Sequence, residues 1–176
     1  MGGAESRHFR PVRRAEPQEV RDPLTGLYLR EHWEWLLQAN FELTRSTGGT
    51  ATLVAAELDH LRAVQDLRGQ AATDQALRTF GHLLRTRLRS TDIRGCRGSG
   101  RFGILLPDTD LEGGRCAVER LHWMLDARPL LAGERLTVSF GVCAIGPDME
   151  GIQSWLQRAD ELLQQARRSG GDCVRA

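Results

Sequence analysis

A hairpin signal near the middle of the chain constrains the fold more than any other feature of the sequence. Two short runs, DIRGCR (92–97) and RFGILLP (101–107), flank the turn residues Gly98, Ser99 and Gly100. Glycine and serine between two such runs are typical of a β-hairpin, which joins antiparallel neighbours. The hairpin interrupts the strand–helix–strand alternation that a doubly wound parallel sheet requires. The sequence therefore predicts a different α/β fold, with antiparallel strands at its centre.

Amphipathic helices and apolar strands surround this hairpin. Apolar residues recurring at spacings of three and four predict helices over 29–44, 72–89, 110–127 and 152–168. Short apolar runs predict strands over 50–58 and 135–145, and the final residues 172–176 predict a short edge strand. The predicted fold class is an α/β (α+β) sandwich, in which helices flank a central and mostly antiparallel sheet.

Three tryptophans fall on the apolar faces of the predicted helices. Trp33, Trp123 and Trp155 are each in phase with neighbouring apolar residues, so we expect all three in the core. Trp35 is out of phase with the same stripe. This phase suggests that Trp35 lies at a partner interface or packs against the N-terminal segment.

The chain is predicted to hold one folded domain. Residues 1–20 are polar, arginine-rich and aperiodic, which is typical of a tail or linker, and residues 21–176 form the domain. No apolar run approaches the roughly 20 residues that a membrane-spanning helix needs. We therefore expect no direct membrane insertion.

Charge and cysteine usage exclude several classes of function. The formal net charge is +1, and all 24 basic residues are arginines, so the chain lacks the strong basic excess of a nucleic-acid binder. Cys96, Cys116, Cys143 and Cys173 are widely spaced without a C-x-x-C pair. This pattern favours reduced thiols in a cytoplasmic protein over a disulfide framework or a zinc site.

Four stretches resemble, in order and spacing, the motifs of the diguanylate cyclase (GGDEF) family over nearly all of residues 21–174. They are DPLTGLYLR (22–30), ELDHLRAVQDLRGQAATDQALR (57–78), VSFGV (138–142) and ADELLQQARRSG (159–170). The resemblance implies a nucleotidyl-cyclase-like palm fold. It also implies that active members join two GTP molecules, one on each subunit of a dimer, into cyclic di-GMP, with magnesium held by carboxylates.

The signature loop of this family departs from its pattern here. GSGRF (98–102) occupies the Gly-Gly-Asp/Glu-Glu-Phe position, so Gly100 stands where a metal-binding acid is expected and Arg101 where a second acid is expected. Magnesium requires oxygen ligands. Gly100 offers no side-chain oxygen, and Arg101 adds a positive charge. The sequence therefore predicts a lost cyclase activity, without catalytic residues, bound magnesium or another cofactor.

Other positions of the family's active site survive in part. Glu57 stands where the first metal-binding Asp is expected, and it can still bind a cation. Gln65 replaces the Asn expected to contact guanine, whereas Asp74 keeps its acidic counterpart and Arg167 keeps the basic residue of the last helix. One carboxylate and a partial base pocket do not form a two-metal site.

A second motif of the family is kept. Members commonly carry an inhibitory site for their own product, an Arg-x-x-Asp motif supported by an Arg on the next helix. Here RSTD supplies Arg89 and Asp92 at the family's offset from the loop, and Arg120 occupies the supporting position. Guanidinium groups engage guanine O6 and N7 bidentately, and a carboxylate accepts hydrogen bonds from N1 and N2. The resemblance therefore predicts a cyclic di-GMP receptor.

Alternatives to a cyclic di-GMP receptor stay open at this point. Arg-x-x-Asp recurs by chance in an arginine-rich chain, and Arg120 can pair with Glu119 or Asp126 on its own helix. The domain can also be a protein-interaction scaffold that binds no nucleotide, or a regulatory domain that binds GTP around Gln65 and Asp74. In the receptor interpretation, the signal passes through a homodimer, a protein partner or a fused regulatory domain.

Overall fold

The computed structural model describes residues 20–176, so the predicted tail lies outside the described residues except for Val20. The helices, in chain order, are α1 (Arg30–Thr47), α2 (Leu61–Arg68), α3 (Gln70–Arg87), α4 (Leu111–Ala127) and α5 (Ile152–Arg168). The strands are β1 (Tyr28–Leu29), β2 (Ala51–Leu58), β3 (Ile93–Gly98), β4 (Arg101–Pro107), β5 (Val138–Ala144) and β6 (Val174–Arg175).

All six of these strands form one sheet, in the order β1-β3-β4-β2-β5-β6. The three central pairs, β3–β4, β4–β2 and β2–β5, are antiparallel, and the short edge strands β1 and β6 pair in parallel. The prediction of a mostly antiparallel sheet around a central hairpin is confirmed. Near the end of β2, Glu57 lies opposite Arg101 on β4 and Ser139 on β5.

Helices cover both faces of the sheet, which confirms the predicted sandwich. On one face, Phe80 and Leu84 of α3 and Leu121 of α4 pack with strand residues such as Phe102. The other face is covered by α1 and α5, and its core includes these fully or nearly fully buried side chains: Trp33, Leu37, Leu53, Leu105, Trp155 and Leu163. The alternation of side chains along each strand separates the two cores.

Two facing glycines accommodate Trp33. Gly95 on β3 and Gly103 on β4 are paired across the sheet, and a Cβ at either position would lie 2.2 Å from an atom of the Trp33 side chain. The indole therefore rests directly on the backbone of the hairpin. This contact fixes α1 over the strands that carry the turn.

The prediction that Trp123 belongs to the core is wrong. Its side chain is 69% exposed, whereas Trp33 and Trp155 are fully buried as predicted. The buried face of α4 is formed by Gly114, Val118 and Leu121. Because successive helical residues are rotated by about 100°, Trp123 lies on the opposite side of α4 from Leu121.

Two elements were not predicted from the sequence. Helix α2 buries only Val64, so it carries no apolar stripe long enough to signal a helix. Strand β1 has two residues, and its pairing with β3 depends on a neighbour far along the chain. Strand β5 is also shorter than predicted, because it begins at Val138.

The sequence predicted reduced cysteines and no membrane-spanning helix. All four cysteines, which lie within the described range, are free. In residues 20–176, no helix has the length and apolar character to cross a membrane.

Candidate functional site

The tip of the β3–β4 hairpin is a tight turn of three residues with left-handed backbone. Gly98, Ser99 and Gly100 all have positive φ angles, of 86°, 52° and 77°. The carbonyl of Gly100 accepts a hydrogen bond from the amide of Leu58 at 3.0 Å, which holds the tip against the end of β2. A Cβ at Gly100 would lie 2.6 Å from Cδ2 of Leu61. An acidic side chain here would require both a left-handed backbone and displacement of Leu61.

Glu57 is held by two arginines of its own chain. Its Oε2 accepts a hydrogen bond from Arg101 Nε at 3.0 Å, and its Oε1 lies 3.1 Å from Arg167 Nη1. Glu57 is 8% exposed. One buried carboxylate is therefore shared by two guanidinium groups, which leaves the cluster with one net positive charge.

The residues around Glu57 do not fit a magnesium site. Both Glu57 carboxylate oxygens already contact guanidinium groups, and the neighbouring Gly100 supplies no side-chain ligand. Within residues 20–176, no group of three or more His, Cys, Asp or Glu side chains is arranged to hold a metal ion. The sequence suggested that the Glu57 carboxylate is free to bind a metal cation. In the structure it contacts two guanidinium groups instead.

Asp59 is a buried acid that the sequence reasoning did not single out. It is 4% exposed and accepts hydrogen bonds from Thr137 Oγ1 at 2.8 Å, Ser139 Oγ at 2.9 Å and the amide of Asp172 at 3.1 Å. These bonds join the end of β2 to β5 and to the C-terminal segment. The spacing of Glu57 and Asp59, two acids with one residue between them, is the signal that could have marked this position.

Gln65 and Asp74 are linked through a third side chain. Gln65 Nε2 donates to Gln70 Oε1 at 2.8 Å, and Gln70 Nε2 donates to Asp74 Oδ1 at 2.7 Å. The structure therefore connects the two predicted base-contacting residues, although they lie on the separate helices α2 and α3. Gln70 is the member of this chain of hydrogen bonds that sequence reasoning missed.

Arg89 and Asp92 belong to one tight turn between α3 and β3. The Arg89 amide donates to Asp92 Oδ2 at 2.7 Å, and the Asp92 amide donates to the Arg89 carbonyl at 3.1 Å. The side chain of Arg94 also donates to the Arg89 carbonyl. Asp92 is 6% exposed, whereas Arg89 is exposed. The turn therefore exposes the Arg89 side chain and holds the Asp92 carboxylate against the Arg89 backbone, so the two side chains do not project together as the sequence predicted.

Arg94 is the partly buried cation beneath this turn. Burial lowers the pKa of its guanidinium, and the charge of Asp92 acts in the opposite direction. Arg94 Nε is buried and has no hydrogen-bond partner in the described part of the chain. Its position next to Asp92 adds positive charge to the base of the turn.

A cavity of about 460 Å³ brings together the three predicted ligand-binding residues. Arg89, Asp92 and Arg120 all line it. Arg120 Nη2 donates to the carbonyl of Arg87 at 3.4 Å, which links α4 to the end of α3, rather than pairing with Glu119 or Asp126. The cavity volume falls within the usual range for small-molecule sites, about 300 to 1,000 Å³.

The two candidate sites are separate. The turn that contains Asp92 lies just before the start of β3. The hairpin tip begins at Gly98, the last residue of β3. Six residues of strand span about 20 Å. The cavity at Arg89 is thus well removed from the Glu57 cluster, and a ligand in one would not fill the other.

The six-stranded sheet, with helices on both faces and a central hairpin, defines an α/β sandwich domain, and comparison with known proteins identifies its family. The family model "Diguanylate cyclase, GGDEF domain" matches residues 19–173. The chain belongs to this family.

Curated relatives agree with the family match. The chain is 31% identical over 160 residues to the probable diguanylate cyclase DgcC of Escherichia coli, covering 90% of this chain and 43% of that protein. It is 35% identical over 156 residues to the diguanylate cyclase DgcP of Pseudomonas aeruginosa, covering 87% of this chain and 23% of that protein. The chain therefore spans less than half the length of either relative.

Solved structures share the fold. The GGDEF domain of DgcB from Caulobacter crescentus, in complex with c-di-GMP, has a TM-score of 0.84 at 23% identity, over 96% of this chain and 98% of that one. The diguanylate cyclase SiaD from Pseudomonas aeruginosa, in complex with its activator SiaC, has a TM-score of 0.80 at 29% identity, over 88% of this chain and 60% of that one.

Proposed function

We propose that this GGDEF domain does not synthesise cyclic di-GMP but binds it, through Arg89, Asp92 and Arg120. The observation that carries the proposal is the shared cavity: three residues predicted from the sequence alone line one pocket of ligand size. Arg89 and Asp92 lie in one turn. Arg120 lies 31 residues after Arg89 in the sequence, on α4.

The chemistry of these side chains suits guanine. An arginine presents two parallel N–H donors to O6 and N7, which discriminates guanine from other bases by about 1–3 kcal/mol. The carboxylate of Asp92, held in place by the Arg89 amide, has oxygens that can accept from guanine N1 and N2. Arg120 can stack on a planar ring or bind its edge, because its guanidinium is flat and always charged.

The loss of synthesis is supported by the Glu57 cluster. Arg101 and Arg167 neutralise the carboxylate that would have to bind a metal, and the neighbouring Gly100 has no oxygen to replace it. We propose accordingly that the domain needs neither magnesium nor another cofactor.

We expect the purified chain to form no cyclic di-GMP from GTP and magnesium, measured by chromatography of the products. The variant Arg101→Glu should also stay inactive, since Gly100 still lacks a carboxylate and Arg167 still holds Glu57. The diguanylate cyclase DgcP serves as the positive control. Product formation by the unmodified chain would overturn the loss of synthesis.

Calorimetric titration with cyclic di-GMP tests the receptor function. Saturable heat at micromolar ligand is expected, and excess GTP should not compete, because the two sites lie about 20 Å apart. No heat at tens of micromolar ligand would instead favour a scaffold that binds no nucleotide. Competition by GTP would favour a site shared with Gln65 and Asp74.

We further propose that the bound ligand acts through self-association of the domain or contact with a protein partner. A dinucleotide presents two bases, so one ligand can contact two protein surfaces. Sedimentation velocity with and without cyclic di-GMP tests the first route. A ligand-dependent increase in mass would support a homodimer.

A further inference from the structure

Trp123 is a large aromatic side chain left exposed on α4. It is 69% exposed, whereas Trp33 and Trp155 are fully buried. Trp123 lines a groove of about 370 Å³ between α3 and α4. Leu83, Leu125 and Leu130 form part of the same groove, so the indole lies in an apolar surface.

The charges lining this groove are all of one sign. The charged side chains that line it are Arg87 and Arg128, and no Asp or Glu is among its lining residues in the described part of the chain. Asp126 precedes Ala127 on α4 but does not line the groove. An aromatic surface with a cationic rim is complementary to a ligand that is planar, apolar on its faces and negatively charged.

The groove adjoins the cavity of Arg89, Asp92 and Arg120. Arg120 and Trp123 are three residues apart on α4, so their Cβ atoms are about 5–6 Å from each other. The end of α3 forms the boundary: the side chain of Arg87 lines the groove, and Leu88 and Arg89 line the cavity. Arg120 Nη2 bonds the carbonyl of Arg87 at this boundary.

We infer that Trp123 is a stacking platform for a purine base of the same cyclic dinucleotide, and this inference rests on the proposed function. Of the two guanines in the ligand, one binds Arg89 and Asp92 in the cavity. The other, or a base of a second ligand intercalated with the first, stacks on the indole of Trp123. Arg87 and Arg128 neutralise the phosphates.

Tryptophan fluorescence and calorimetry, measured on the same samples during titration with cyclic di-GMP, test this inference. Stacking of guanine on an indole quenches its emission, so the unmodified chain should lose fluorescence in step with the calorimetric binding curve. The variant Trp35→Phe is the matched control, because Trp35 lies on α1 and outside the groove. Quenching should persist in Trp35→Phe and disappear in Trp123→Phe.

Affinity gives an independent readout. Removing a stacking ring generally weakens binding by roughly 5- to 150-fold. We expect Trp123→Ala to raise the calorimetric Kd within that range and Trp123→Phe to stay within about threefold of the unmodified chain, since an aromatic ring is kept. Because Trp123 is exposed, both variants should fold.

The outcomes separate the two proposals. Binding with unchanged Trp123 emission and an unchanged Kd in Trp123→Ala would overturn the stacking role and leave the receptor function intact. No heat with the unmodified chain would overturn both.

Discussion

Charge reversal at Arg89 is expected to weaken cyclic di-GMP binding by at least a hundredfold. The variant Arg89→Glu loses the bidentate contact to guanine, worth about 1–3 kcal/mol. It also places a second carboxylate beside Asp92 in a cavity that has to accept an anionic ligand, and this repulsion adds to the loss. Isothermal titration calorimetry measures the result directly.

The fold should survive this substitution. Arg89 is exposed, and the hydrogen bonds that close its turn involve its backbone amide and carbonyl, which Glu keeps. Arg78→Glu provides the matched control, because Arg78 is an exposed arginine on α3 that does not line the cavity. Circular dichroism and thermal melts should be unchanged in both variants. An Arg89→Glu chain that binds within threefold of the unmodified one would contradict the assignment of the site.

Substitution of Gly141 by alanine is expected to destabilise the domain strongly. A Cβ at Gly141 would lie 2.3 Å from the carbonyl oxygen of Ala159 and 2.4 Å from the amide nitrogen of Leu163. These are backbone atoms of α5, which cannot rotate away. The helix would therefore have to move off β5.

We expect Gly141→Ala to lower the free energy of unfolding by about 3 kcal/mol, at the upper end of the usual cost of overpacking. For a domain of this size, this corresponds to a melting temperature lower by about 6–12 °C. Gly151→Ala is the control, because a Cβ there would meet no atom within 4 Å. Urea denaturation of the two variants measures the difference. Equal stabilities would show that α5 does not approach β5 as closely as described.

Local sequence predicted most of the secondary structure. The helices around Trp33, Phe80 and Trp155 were recognisable because each buries a stripe long enough to impose a helical period. The hairpin was recognisable because its turn residues adopt positive φ angles that glycine favours. Helix α2 was missed because it buries one residue, Val64.

The candidate sites were predictable to different degrees. The resemblance to the family predicted a shared ligand site at Arg89, Asp92 and Arg120, and the structure brings these residues to one cavity. That they bind a ligand together stays a prediction. The ion pairs of Glu57 were not predictable from the sequence, because its partners Arg101 and Arg167 come from β4 and α5. The position of Trp123 was wrongly predicted, since a helix with apolar residues on two sides does not reveal which side faces the sheet.

By itself, the sequence determined that the hairpin tip carries Gly100 and Arg101, and its resemblance to the family predicted a lost metal site there and a ligand site at Arg89, Asp92 and Arg120. Only the tertiary structure decided that Glu57 is shared by two guanidiniums and that Trp123 stays exposed next to the cavity lined by Arg89, Asp92 and Arg120. The reason is physical: residue identity and local periodicity are properties of short segments, whereas contacts and exposure depend on which distant segments pack together.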